Sequence, residues 1–322
     1  MALPVVTIDG PEACCDVDDA AMICAVLEFS YAGTDTSPKL LAKNGFYTAN
    51  LGDCAQTIAA RGVLERLGLT AADVPGIDRD TLPDYDGPPA ALLMNGVFYD
   101  RNFPVSDRIT PVFIGFCTKS AALVQAHRDW FLRHGPVGCR DKATAALLAA
   151  EGIPAFVTGC VTLTLPRRPA HKRGKRFLVV YGEGKGALPP QVLRHVPPDL
   201  LDVAEFIHHR LPVNQLPLLP ESRGWIVRYE EHLLARYREE ALLVLTPLLH
   251  VATPCLAMGV PVVLCRRNHD TRFDFLDGLL PVHTPDSAAT IDWRPALVDV
   301  DPLAGALEQA LRDRLVALGV LA

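Results

Sequence analysis

The stretch from Ala241 to Cys265, ALLVLTPLLHVATPCLAMGVPVVLC, decides how this chain is read, because its twenty-five residues contain no Asp, Glu, Lys or Arg. An apolar run of that length reaches across a bilayer core of about 30 Å if it forms one helix. Pro247, Pro254 and Pro261, with Gly259 and His250 among them, break any such helix. The spacing predicts three shorter pieces instead. A buried strand covers Leu242–Leu245, and a short helix has Thr253 as N-cap, Pro254 as first residue and Gly259 just past its end. A second strand covers Val262–Cys265. Strand, helix and strand without charge make a buried α/β unit, so no transmembrane segment is expected.

The same alternation extends outward in both directions. Strands are expected at Ile23–Phe29, Ala91–Met94, Val112–Phe116, Ala155–Val157 and Phe177–Tyr181, and helices at Ala55–Leu67, Ser120–Arg133, Lys142–Glu151, Arg228–Glu239 and Leu303–Leu318. Parallel βαβ units follow from this order, and the fold class is α/β. A chain of 322 residues has room for two cores. The boundary is placed at Pro166–Gly174, where Arg167, Arg168, Lys172 and Arg173 are followed by Lys175 and Arg176 with no acid among them. Such a segment reads as a solvated linker or as a contact for a phosphate-bearing substrate. The expected division is 1–166 and 175–322, the second part closed by the C-terminal helix. Leu211–Pro220 reads as a loop.

Composition narrows the function. A net charge of -6 and a pI near 5.9 argue against a nucleic-acid partner. Residues 1–110 hold 7 Lys+Arg against 16 Asp+Glu, a balance of -9 that leaves +3 for the rest, so an anionic ligand is better received after residue 110. Nine cysteines without a CxxC pair suggest neither a disulfide framework nor a structural zinc site, and the N-terminus shows no secretory signal, which points to the cytoplasm.

Four segments carry polar groups at strand ends or helix starts. In Asn50-Leu51-Gly52-Asp53-Cys54-Ala55-Gln56, Asp53 reads as an N-cap, and Gly52 allows close approach to a ligand held by Asn50 and Gln56. Asn95-Gly96 follows a strand and reads equally as a ligand contact or as a tight turn. Gly138-Cys139-Arg140-Asp141-Lys142 opens a helix, with Asp141 as cap and Arg140 and Lys142 as a clamp for a carboxylate or phosphate. The hydroxyls of Thr158–Thr164, Thr162 among them, fall near the same strand ends. In Thr246-Pro247-Leu248-Leu249-His250, the histidine is the titratable group of an uncharged loop and the expected acid or base. Three weaker signals are set aside. Gly182-Glu183-Gly184-Lys185-Gly186 has the wrong spacing for a dinucleotide fingerprint, Asp16-Val17-Asp18-Asp19 reads as an acidic loop, and His208-His209 has no metal-ligand partner at suitable spacing.

Taken together, these blocks resemble the polysaccharide pyruvyl transferase family. The match runs through Asn50-Leu51-Gly52-Asp53…Gln56, Ile77-Asp78-Arg79-Asp80, Leu93-Met94-Asn95-Gly96, Gly138–Lys142 and Gly159–Leu165. It continues through His250…Pro254–Val262 and Asp270-Thr271-Arg272-Phe273. The resemblance implies two Rossmann-like domains facing across a cleft, the GT-B-like arrangement, with residues 1–166 on the acceptor side. It implies transfer of a pyruvyl unit from phosphoenolpyruvate, or another anionic donor, to hydroxyls of a sugar or lipid-linked glycan. The product is a ketal on a surface polysaccharide or its precursor, as in exopolysaccharide biosynthesis, and the expected place is the cytoplasm, at or near the inner membrane face. Arg140 and Lys142 would hold the donor, with Arg266 or Arg267 in reserve, and His250 would move the proton. No metal or redox cofactor is demanded.

One departure stands out. Family members carry Ser/Thr-Arg-Leu-His before the helix, whereas this chain reads Pro247-Leu248-Leu249-His250. A lost charge-assisted contact costs about 1.5–3 kcal/mol. Another base then compensates, or the donor differs. A nucleotide-sugar glycosyltransferase on the same fold, or a catalytically silent glycan- or phosphate-binding member, are the alternatives.

Overall fold

The computed structural model describes residues 21–33, 46–169 and 171–322, and Asp9–Asp19 lie outside this range. The chain has a mixed α/β fold built on parallel sheets. In the first half, β1 (Ile23–Glu28), β2 (Tyr47–Asn50), β3 (Gly76–Asp78), β4 (Ala90–Leu93) and β5 (Ile109–Val112) precede the short pair β6 (Val137–Cys139) and β7 (Ala155–Val157). Four of them make a parallel sheet in the order β3-β1-β4-β5. The parallel β6-β7 pair is tied to the chain after β5 through a bridge between Phe116 and Cys139. In the second half, β8 (Arg176–Tyr181), β9 (Ala204–His208), β10 (Arg210–Val213), β11 (Ala241–Thr246), β12 (Val262–Cys265) and β13 (Val282–His283) follow. Five of these form a second parallel sheet, β13-β12-β11-β8-β9. The antiparallel pair β2-β10 joins the halves.

Among the described residues, the α-helices of six residues or more are α1 (Leu51–Arg66), α2 (Ala121–Ala126), α3 (Arg128–His134), α4 (Lys142–Ala150), α5 (Pro220–Glu240), α6 (Leu249–Ala257) and α7 (Asp301–Ala317). Each covers a sheet because its apolar residues recur every three or four positions. Ala59, Ala60, Val63 and Leu64 of α1 pack on Val26, Leu93 and Val112, while the other face of that sheet, with Ala25, Leu27 and Leu92, meets Phe98, Phe116 and Phe131. In the second half, Ile226, Leu233 and Tyr237 of α5 share a core with Leu178, Val244 and Leu264. Ala49, Leu51, Cys160 and Leu163 from the first half belong to that same core.

The uncharged stretch forms β11, α6 and β12, with Leu243, Val244 and Leu245 buried. No helix among the described residues is long and apolar enough to cross a membrane.

Several boundaries differ from expectation, each for a local reason. The helix after β11 starts at Leu249, not after Thr253. Leu248 is its N-cap position, the Thr253 hydroxyl donates to Leu249 O at 3.0 Å, and Pro254 lies inside the helix. Having no N–H, Pro254 leaves the His250 carbonyl without its usual helical donor. The strand expected at Val112–Phe116 ends at Val112, because Gly115 adopts a left-handed φ of 74° that breaks the ladder. Part of the expected loop Leu211–Pro220 is β10. The C-terminal helix does not close the second sheet. Its Leu307, Leu311 and Leu315 are buried in the core of the first sheet against Cys24, Val26 and Ile114, each burial contributing about 1.5–3 kcal/mol.

Candidate functional site

The second sheet is wholly parallel, so the ends of its strands point the same way and their following loops gather. Gly182 and Glu183 follow β8, His209 follows β9, Leu248–His250 follow β11 and Arg266 follows β12, and all line one cavity of about 230 Å³. A crevice outside the carboxyl ends of parallel strands is where open α/β sheets bind ligands. Its remaining wall comes from the first half, where Asn50 and Gly52 begin α1.

Asn50, not Asp53, is the N-cap of α1, its side chain accepting from Gly52 N at 3.3 Å. Both residue types cap well, and β2 ends at Asn50, so the helix starts three residues earlier than Asp53 implies. Asp53 accepts from the Tyr31 hydroxyl at 3.1 Å and from Gln56 Nε2 at 3.5 Å. Gln56 is buried and also donates to Gly52 O, and Asn95 Nδ2 donates to Gln56 O. Asn50 and Gly52 thus face the cavity, while Asp53, Gln56 and Asn95 brace the helix start behind it. Gly96 lies in the turn after β4, beside Leu27 and Phe29, and is not part of the cavity lining.

Gly52 is required for contact. A Cβ there would stand 2.7 Å from His250 Cβ, closer than packing allows. His250 therefore rests directly on the first turn of α1. Its Nδ1 lies 3.7 Å from Cys160 Sγ. Burial, then Arg140, Arg272 and His209, hold the imidazole well below the usual histidine range, so the ring is neutral at physiological pH.

Arg140 is the largest fully buried side chain of the described residues. Its backbone N–H donates to Phe116 O, but its Nε, Nη1 and Nη2 have no hydrogen-bond acceptor. The adjacent Asp141 is 4.0 Å from Nε and is used as the N-cap of α4, accepting from Thr144 N at 2.8 Å. A buried cation without an acceptor is strongly disfavoured unless an anion completes it. Desolvation pulls the guanidinium pKa down, and the neighbouring Cys117, Cys160 and Asp141 more than offset it.

Lys142 does not join Arg140. It is exposed, its Nζ paired with Asp277 at 3.1 Å, and its N–H donates to Asp274 at 2.8 Å, so it ties the two halves together at the surface. Thr162 and Thr253 hydroxyls meet at 2.6 Å, another tie between halves, and Thr246 Oγ1 accepts from Leu248 N to shape the histidine loop. Arg266 lines the cavity with its Nη1 on Pro247 O, its Nη2 3.5 Å from Asp270 and its Nε without an acceptor. Arg267 is exposed and outside the cavity.

Sequence reasoning passed over Arg210, Arg272 and His209, all of which line the cavity. Arg272 was visible only inside a family block; it grips Asp270 at 2.6 Å and projects the same way as Arg266. The rejected Gly182–Gly186 segment is present for another reason. A Cβ at Gly186 would lie 2.8 Å from Leu248 Cδ2, so the small turn makes room for the leucine that stands where the family has arginine.

The basic linker lies elsewhere. Arg167 pairs with Asp301 and Lys172 with Glu239, and with Arg168 and Arg173 they line a separate cavity of about 490 Å³. A larger, mainly apolar cavity of about 660 Å³ lies between α1 and α5, where Arg61 and Arg223 are both paired with Glu28. Size does not favour it, because it holds no histidine. Among the described residues no cluster of three His, Cys, Asp or Glu is placed to hold a metal.

A crystal structure of a functionally uncharacterised protein from Klebsiella pneumoniae is similar at a TM-score of 0.48 and 14% identity, covering 80% of this chain and 88% of that one. No curated protein matches the chain. Residues 102–269, just over half of the sequence, match the family described as polysaccharide pyruvyl transferase. They span the segments that supply Arg140, His209, His250 and Arg266, and the chain belongs to the polysaccharide pyruvyl transferase family.

Proposed function

We propose that this protein is a pyruvyl transferase that uses phosphoenolpyruvate, or a close anionic relative, and delivers the pyruvyl unit to hydroxyls of a glycan. The observation that supports this most is the buried, acceptor-free guanidinium of Arg140 beside His250. Arg140 and His250 form the donor pole, and Arg266, Arg272 and Arg210 add positive charge around the cavity. The carboxylate on the lining, Glu183, lies 3.7 Å from His208. These bases are the compensation for Leu248, whose side chain packs against the Gly182 and Gly186 turn.

An anion entering beside Arg140 offsets the charges that hold His250 neutral, which raises its proton affinity. Donor binding thereby converts His250 into an acid able to protonate the methylene carbon. In this reading the two parallel sheets are the centres of two Rossmann-like units in a GT-B-like arrangement, the first carrying α7 as well and facing the acceptor. The work is done in the cytoplasm, near the inner membrane face where lipid-linked glycans are built.

Thermal shift separates this reading from a nucleotide-sugar transferase, because a ligand stabilises by RT ln(1 + [L]/Kd). Phosphoenolpyruvate is expected to raise the midpoint, and UDP, GDP and CMP to leave it in place. Stabilisation by a nucleotide without phosphoenolpyruvate would reverse the assignment.

A further inference from the structure

Ketal formation needs a proton delivered to the donor's methylene and a proton taken from an attacking hydroxyl. His250 serves the first, and burial, with Arg140 and Arg272 adding to it, makes it a weak base. The same cavity presents a second histidine that has its own carboxylate. His209 Nε2 lies 3.3 Å from Glu230 Oε1 and 3.0 Å from Oε2. Glu230 is fully buried within α5, and His209 is almost fully buried yet lines the cavity. The residue is held by its backbone N–H, which donates to Tyr181 O at 2.7 Å, and its ring centroid lies 6.4 Å from that of Tyr237. Burial pushes the Glu230 carboxyl up, and the His209 side chain beside it pulls it part of the way back. The two histidines are electrostatically coupled, since His209 is among the groups that hold His250 neutral.

We propose that His209, positioned by Glu230, is the base that takes the proton of the acceptor hydroxyl. A buried carboxylate on one ring nitrogen sets the tautomer and stabilises the imidazolium formed when the other nitrogen accepts a proton. Given the donor assignment above, on which this rests, the first step forms a bond from the acceptor oxygen to C2 of the enolpyruvyl group. The C2=C3 electron pair takes the proton from His250, and the hydroxyl proton passes to His209. In the second step the C2–O bond to phosphate breaks, with the electron pair leaving on phosphate. A second hydroxyl closes the ketal and its proton goes to the departing phosphate. The proton on His209 returns through solvent to His250, so one diol and one phosphoenolpyruvate give one ketal and one hydrogen phosphate.

The test compares wild type, His209→Gln, Glu230→Gln and His250→Gln in release of phosphate from phosphoenolpyruvate with a panel of methyl hexopyranosides as acceptors. Loss of the base is expected to lower kcat by about 10²–10⁴-fold in His209→Gln. Affinity for phosphoenolpyruvate, read by thermal shift, is expected to stay within about threefold of wild type, because the dyad does not contact the donor anion. Glu230→Gln is expected to move the acid limb of the kcat–pH profile, which a purely structural carboxylate would leave in place. The groups facing the dyad, Tyr237, Cys54, Cys255, Arg210 and His250, remain intact in that variant. Full kcat in His209→Gln overturns the dyad alone, whereas a wild-type chain that does not bind phosphoenolpyruvate overturns the donor assignment. Without any acceptor, ring ¹⁵N shifts of histidine-labelled wild type are expected to place the His209 proton on Nε2. A proton found on Nδ1 instead overturns the proposal, including where a variant fails to fold.

Discussion

Two cationic cavities invite comparison. One is lined by Arg167, Arg168, Lys172, Arg173 and Arg294, the other by Arg210, Arg266 and Arg272, with the buried Arg140 outside that lining but acting electrostatically on its His250. By charge count the first looks the better anion site. Its Arg167, Lys172 and Arg294, however, are partly exposed and already paired, with Asp301, Glu239 and Asp199. In the second, the Arg140 guanidinium is fully buried and Arg266 Nε is buried too, and neither has an acceptor. Exposed pairs contribute little and are screened by salt, whereas a buried cation is an interaction still to be made. The lesson is that partnership and burial, not the number of bases, locate an anion site.

Four changes break or sharpen this contrast. Arg140→Met removes a buried guanidinium whose N–H groups have no acceptor, so the free protein is expected to be unchanged or up to about 4 kcal/mol more stable, measured by urea unfolding. A loss of stability would mean that Arg140 is satisfied in the fold. Gly52→Ala forces a methyl to within 2.7 Å of His250 Cβ. Overpacking of this kind is expected to cost about 1–3 kcal/mol and to lower turnover with it, seen in the unfolding midpoint and in phosphate release.

The third change is in pH. His250 is held neutral in the folded chain, while the unfolded ring takes up a proton below a pKa of about 6.5. Below that value the folded state therefore binds fewer protons than the unfolded chain does. The stability contribution is fully present above about 6.5 and is lost below it, by at most about 1.4 kcal/mol per pH unit. Urea midpoints at several pH values are expected to show a shallower decline in His250→Gln than in wild type; parallel declines would show that the ring titrates freely. The smallest effect belongs to the linker. Arg167→Gln or Lys172→Gln is expected to change stability by less than about 1 kcal/mol and to leave phosphoenolpyruvate affinity unaltered, which equilibrium titration checks.

Much of the fold was legible because its signals are local. The prolines in Ala241–Cys265 ruled out a single helix, and short apolar runs marked β8, β11 and β12. Arg140 and His250 were legible as polar residues at strand ends. What remained hidden depends on tertiary placement. Arg140 and Lys142 are two residues apart, yet one is fully buried and the other reaches outward to Asp277. His209 and Glu230 are separated by 21 positions and meet only because α5 packs on the second sheet. Setting His208-His209 aside as a pair without a metal-ligand partner missed this, because adjacent strand-end residues point to opposite sides. The closing helix was assigned to the wrong sheet for the same reason, since amphipathic spacing shows that Leu307, Leu311 and Leu315 are buried but not against what.

The central claim is that Arg140 is the anchor for the donor's anion. Isothermal titration of phosphoenolpyruvate into wild type, Arg140→Met and an Arg167→Gln/Lys172→Gln double variant tests it most directly. Loss of one charge-assisted contact of about 1.5–3 kcal/mol predicts affinity weaker by about ten- to a hundredfold or more in Arg140→Met, with the linker variant binding as wild type does. Equal affinity in wild type and Arg140→Met, or loss of binding in the linker variant instead, would contradict the account.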